Sequence, residues 1–164
     1  MNGVRPASLL AAGLLAAWLH PGGARAEGRP AEAAGARDVR PAIEVLAAVA
    51  PAAPPGAPTM AIYLQLRNRG ALADALLGAS TPLAAEAMIH AQQMDGGIMR
   101  MRMLERLAIP AGGTVAMRTG GIHIMLAGMA RMPKAGEQFP LLLRFERAGD
   151  LPAQVHVLPL GSAP

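Results

Sequence analysis

The 164-residue chain predicts an all-β fold, an antiparallel sandwich or barrel. Three observations carry this reading. Met60, Ile62, Leu64 and Leu66 alternate with Ala61, Tyr63, Gln65 and Arg67, the period of a half-buried strand. Short apolar runs recur between Gly-containing turns at 94–97, 110–113, 119–121 and 134–137. The helical signal is weak: Thr81 to Met88 offers at most one turn, with Pro82 at its start.

From the N-terminus, Arg5 supplies a positive start and Ala7 to Leu19 forms an apolar run of Ala and Leu around Trp18. Ala24-Arg25-Ala26 fits a small-x-small cleavage site, so residues 1–26 read as a secretory signal peptide. The apolar run has about 13 residues, short of the ~20 that cross a bilayer, so stable membrane insertion is not expected. Residues 27–37 lack periodicity and read as a disordered lead-in. The folded domain is expected over 38–160.

Val39 to Val49 is apolar enough for a first strand, and the Pro-rich stretch from Ala50 to Pro58 suits a loop or an extended edge. Asn68-Arg69-Gly70 ends the alternating strand, and Asp74 to Ala79 is a further short run. Glu86 to Gln93 reads as a strand with Ala87, Ile89 and Ala91 on one face and Met88, His90 and Gln92 on the other. Asp95-Gly96 marks a hairpin turn. The return strand, Ile98 to Leu104, sets Met99, Met101 and Met103 against Arg100 and Arg102. Thr114 to Arg118 and Ile122 to Leu126 follow, the latter with His123 and Met125 opposite Ile122, Ile124 and Leu126. Phe139 to Phe145 and a last strand holding Val155 and Val157 complete the set.

Net charge is +4, and removal of Arg5 and Arg25 with the leader lowers it to +2. Basic residues are scattered and aromatics make up 2%, so the clustered, aromatic-interleaved surface of a nucleic-acid binder is missing. The chain has no Cys. An exported domain without disulfides relies on its apolar core.

His90, Met101, His123 and Met125 follow the spacing H-x10-M-x21-H-x-M. Imidazole and thioether together favour monovalent copper, since thioethers are soft donors. His123 and Met125, two apart on a strand, share a face, and the Asp-Gly hairpin brings His90 near Met99 to Met103. Single His and Met residues are more often ordinary core groups. Nine of the eleven Met residues lie between Met88 and Met132, which suits a Met-rich core equally well. The joint pattern favours metal. A blue-copper electron-transfer site is disfavoured, because it needs a Cys thiolate.

Residues 60–146 resemble the periplasmic copper chaperone family PCuAC (DUF461). The resemblance is carried by the ungapped four-residue motif and by its flanks. These include Leu66-Arg67-Asn68, Asp74, Gly78-Ala79-Ser80, Asp95-Gly96-Gly97, Ile109-Pro110-Ala111-Gly112-Gly113 and Gly120-Gly121. It implies a cupredoxin-like Greek-key β-sandwich in the periplasm. It implies an exposed Cu(I) site of His90, Met101, His123 and Met125. It further implies delivery to the copper-accepting subunit of a respiratory haem-copper oxidase, alongside a Sco-type thiol protein. Thr119 and Ile122 depart from the family pattern at positions that supply no ligand. The C-terminal residues hold His156 but no Met, so a second site in the tail is not expected. A copper-buffering or resistance protein with the same site remains the alternative. A metal-free interaction sandwich is a further one. Catalysis is not expected: Ser80 and Ser162 lack a nucleophile-elbow context.

Overall fold

A computed structural model describes residues 42–162, and the segments read as signal peptide and lead-in lie outside them. Ten strands follow in chain order: β1 (Ile43–Pro51), β2 (Thr59–Asn68), β3 (Asp74–Ser80), β4 (Ala84–Asp95), β5 (Ile98–Met103), β6 (Leu107–Ile109), β7 (Thr114–Ala116), β8 (Ile122–Met129), β9 (Gln138–Phe145) and β10 (Asp150–Leu158). The described residues contain no helix, in keeping with the all-β expectation. The helical turn considered over Thr81 to Met88 is cut to a tight turn at Pro82-Leu83, closed by Ala84 N–H to the Thr81 carbonyl at 3.4 Å, because Ala84 onward is drawn into a 12-residue strand. Ile89 supplies its core contact at 2% exposure. β6 was not foreseen; at three residues it is too short to show a period.

The hydrogen-bonded path runs β5-β4-β8-β2-β1-β10-β9-β3-β6, with β7 also against β2. Every pairing is antiparallel except β1 with β10, where Val49 lies beside His156 and Ala50 beside Val157. The sheet is therefore mixed. Pro51 is tolerated because it falls at the end of β1.

Strand β2 organises the molecule. On one edge it pairs with β1. On the other, Thr59–Ile62 pair with β8 and Gln65–Arg67 with β7. The segment 117–121 links β7 to β8, with Met117 buried and its N–H donating to the Leu64 carbonyl at 2.8 Å. Met60, Ile62, Leu64 and Leu66 are all buried, as their alternation predicts. They meet Ile124 and Leu126 from β8, Phe139, Leu141, Leu143 and Phe145 from β9, and Val155 and Val157 from β10 in one core. β9 alternates exposed and buried without exception, the signature of a strand with one face on the core and one in water.

Two buried polar side chains tie loops to this core. The Asp74 carboxylate, 1% exposed, accepts hydrogen bonds from the backbone N–H groups of Ala75, Arg147 and Ala148 at 2.7, 2.9 and 3.0 Å. Asn68, fully buried, donates to the carbonyl of Leu72 at 2.7 Å and accepts from Gly70 N–H at 2.9 Å. Burying such groups is tolerated because their polar atoms find partners.

Candidate metal centre

The β4–β5 hairpin is closed by Gly96 and Gly97, with φ of 57° and 81°. Both lie in the left-handed region, which a two-residue type I′ turn requires of its central residues. The turn fixes the register: Asp95 faces Ile98, Met94 faces Met99, Gln92 faces Met101 and His90 faces Met103. Across the other edge of β4, His90 faces His123 and Met88 faces Met125. Directly opposed residues point to the same side of a sheet. One face of three adjacent strands thus carries His90, His123, Met88, Met125, Met101 and Met103.

The sequence motif is brought together unevenly. His90 and His123 are direct neighbours. Met125 lies two residues along β8 from His123, beside Met88. Met101 lies two rungs outward from His90, toward the turn, and Met103 is the β5 thioether directly across from His90. The hairpin pairing expected from the sequence is present. Alternation puts Met88 with His90 on β4 and Met103 with Met101 on β5; the ladder registers add that Met103 lies opposite His90 and Met88 opposite Met125.

The His90 and His123 rings meet edge-on, with centroids 5.8 Å apart and planes at 84°. A metal about 2 Å from one nitrogen of each ring places two ring centres roughly 5–6.5 Å apart. The observed separation falls inside that span. His90 Nδ1 is buried and has no hydrogen-bond partner. A buried polar atom left unpaired costs about 1–3 kcal/mol, and a bound cation would relieve it. His123 Nδ1 lies 3.4 Å from the carbonyl oxygen of Gly121. A carbonyl only accepts, so this weak contact is a hydrogen bond when Nδ1 carries the proton, and Nε2 then holds the free lone pair. The 117–121 connection delivers that carbonyl, which also accepts from Gln92 N–H at 3.0 Å.

Exposure is graded across the face. His123 is 3% exposed, lying under Tyr63, whose ring centroid is 6.2 Å away. His90 and Met125 are half-buried. Met101 is 49% exposed. The expected exposed site is therefore exposed on its thioether side and closed on its His123 side. Burial lowers the His123 pKa below the ordinary imidazole value; the Gly121 contact opposes this and the neighbouring His90 adds to it. A neutral imidazole is the form that binds metal.

The donor set also limits the ion. Among the described residues no three His, Cys, Asp or Glu side chains converge. Hard cations want carboxylate and carbonyl oxygen, and structural zinc wants thiolate or several imidazoles. Two imidazoles among thioethers match a soft monovalent ion.

Fold and face together define an all-β domain with a soft imidazole–thioether donor face. The family described as "Putative lipoprotein LpqE-like" matches residues 43–157, nearly the whole described domain. The chain belongs to this LpqE-like, PCuAC-type family, a non-catalytic one. A curated relative from Leifsonia xyli subsp. xyli, "Putative lipoprotein Lxx21020", is 29% identical over 103 residues; the match spans 62% of each chain, so this chain covers less than two thirds of that relative. Apo-DR1885 from Deinococcus radiodurans is 30% identical over 97% of both chains, with a TM-score of 0.56. The Cu(I) form of DR1885 is 32% identical, covering 78% of this chain and 85% of that one, with a TM-score of 0.58. The copper-bound PCuAC domain of PmoF2, 20% identical over 71% of this chain and 92% of its own, shares the fold with a TM-score of 0.62.

Proposed function

We propose that this chain is an exported Cu(I) carrier that holds one ion between His90 and His123, with Met125 and Met101 as thioether ligands, and delivers it to the copper-accepting subunit of a respiratory haem-copper oxidase. The observation that carries the reading is the histidine pair: two rings 5.8 Å apart, one with an unpartnered buried Nδ1, on a face rich in thioethers. Support comes also from DR1885, a relative over 30% identical in its Cu(I) form.

The graded exposure suits a carrier. The buried His123 anchors the ion, while the exposed β5 thioether can be exchanged for a recipient's ligand. Cu(I) would leave by stepwise replacement from the open side, with His123 released last. Export is part of the proposal and rests on residues 1–26. No helix among the described residues is long and apolar enough to cross a membrane.

Anaerobic titration of the mature chain with chelator-buffered Cu(I) tests the site. His123→Ala and His90→Ala should each abolish tight binding; unchanged affinity in both would sink the reading. Deletion of the gene, followed by oxidase assay at limiting copper, tests delivery. Normal oxidase activity with lost copper tolerance would favour the buffering role.

A further inference from the structure

The outer half of the β4–β5 hairpin carries a second concentration of soft donors, of which the histidine site uses only Met101. Met94, Met99 and Met101 are 68%, 55% and 49% exposed, so they are not core filler. Met94 and Met99 face each other across the rung next to the turn. In a two-residue hairpin the residues flanking the turn exchange the closing hydrogen bonds, so the next rung is a non-hydrogen-bonded pair. Such pairs bring their Cα atoms to about 4.5 Å and their side chains closest together. The same alternation makes Gln92 with Met101, and His90 with Met103, pairs of this kind. It agrees with the observed Leu104 N–H to Ile89 carbonyl bond at 2.7 Å, which falls on the hydrogen-bonded set.

Met101 lies two residues from Met99 on the same face, within reach of the Met94–Met99 pair as a diagonal neighbour. The hairpin separates its chemistry by face. Arg100 and Arg102 alternate to the other side, and Arg100 is engaged by Asp95 at 3.3 Å. The cations nearest Met94 and Met101, Arg100 and Arg102, line the same open concavity, and Asp95 offsets the first of them. The carboxylate in that concavity, Asp95, is paired with Arg100, which leaves the thioethers as its uncommitted donors. From Met94 to His90 is four residues of strand, about 13 Å at strand rise.

We infer that Met94, Met99 and Met101 form a second, thioether-only Cu(I) station at the hairpin tip, which passes the ion along the β5 methionines to and from the histidine pair. Three thioethers coordinate Cu(I) without proton release, so this station fills and empties independently of pH. It binds more weakly than the histidine site, because thioethers are neutral, weakly basic donors. Met101 is shared: it ends the outer set and begins the inner one. The inference rests on the Cu(I) reading above.

The test uses Cu(I) alone, offered to the mature chain under anaerobic reducing conditions against competing chelators of graded strength. Wild type should take up two ions, the second at lower affinity. Met94→Leu/Met99→Leu keeps the apolar area and removes both sulfurs, and should take up one. His90→Ala/His123→Ala should lose the tight ion and keep the weak one, with Met94 and Met99 methyl NMR signals shifting on addition of Cu(I). Saturation of the wild type at one ion, or a second ion that persists in the double Leu variant, would overturn the station. In either case the histidine variants report separately on the main site. A second ion lost only with the histidines would assign both ions to the inner face and also overturn it.

Discussion

At the scale of single residues, His123 joins packing to chemistry. Its folded pKa is depressed by burial, so the unfolded chain takes up the proton first as pH falls. The stability contributed by the neutral ring is complete above about 6.5 and is lost as pH drops toward the folded value. The copper-free domain should lose thermal stability between pH 7.5 and pH 5, and His123→Gln should flatten that loss; equal pH profiles would refute the assignment. On the thioether side Met103 lies directly opposite His90, so the proposed site predicts that it can stand in for Met101. Met101→Leu should weaken Cu(I) binding roughly tenfold, about 1.4 kcal/mol. Met101→Leu/Met103→Leu should weaken it much further, as read by chelator competition. Gly128 shows a residue whose role was not readable in the sequence. Its φ is +63°, and a Cβ there would meet Ala85 Cβ at 2.8 Å. Gly128→Ala is expected to destabilise the β4–β8 pairing by about 1–3 kcal/mol in urea unfolding.

At the scale of elements, alternation made most strands legible. β2 and β9 have one face in the core and one outward, so period two is written into their residues. The hairpin was equally legible, since Asp95-Gly96-Gly97 admits little else. What alternation cannot show is which strands pair at long range. The β1–β10 neighbourship joins residues more than a hundred apart by backbone bonds, which leave no mark on side-chain type. The roles of Asp74 and Asn68 were hidden for a similar reason. Each looks like a surface polar residue, and only the fold reveals the backbone N–H and carbonyl groups it satisfies. Asp74→Ala removes the acceptor for Arg147 and Ala148 N–H and leaves those groups to find other partners. It should destabilise the domain by about 2–4 kcal/mol in denaturant unfolding, with Cu(I) stoichiometry of the folded fraction unchanged.

At the scale of the whole molecule, the site sits at one end of the strand path and the covalent chain enters and leaves at the middle, through β1 and β10. The four-residue motif picked out side chains that the strand registers bring to one face of β4, β5 and β8. It did not reveal the asymmetry of the face, with one end closed beneath Tyr63 and the other open on an edge strand. That asymmetry follows from the strand order, with β8 inside the path and β5 at its edge. The same path has a consequence for motion. Strand β4 is flanked on both edges as far as Gln92, whose N–H reaches Gly121; beyond it the rungs of the hairpin are held by each other alone, and every residue of β5 is exposed. The tip can therefore open without disturbing the core. Amide deuterium uptake there should be rapid, while β2 and β9 exchange only with global unfolding. A clamp that rattles when empty and quietens when filled would make the exchange rate at Arg100 a direct gauge of cargo, readable in the intact protein.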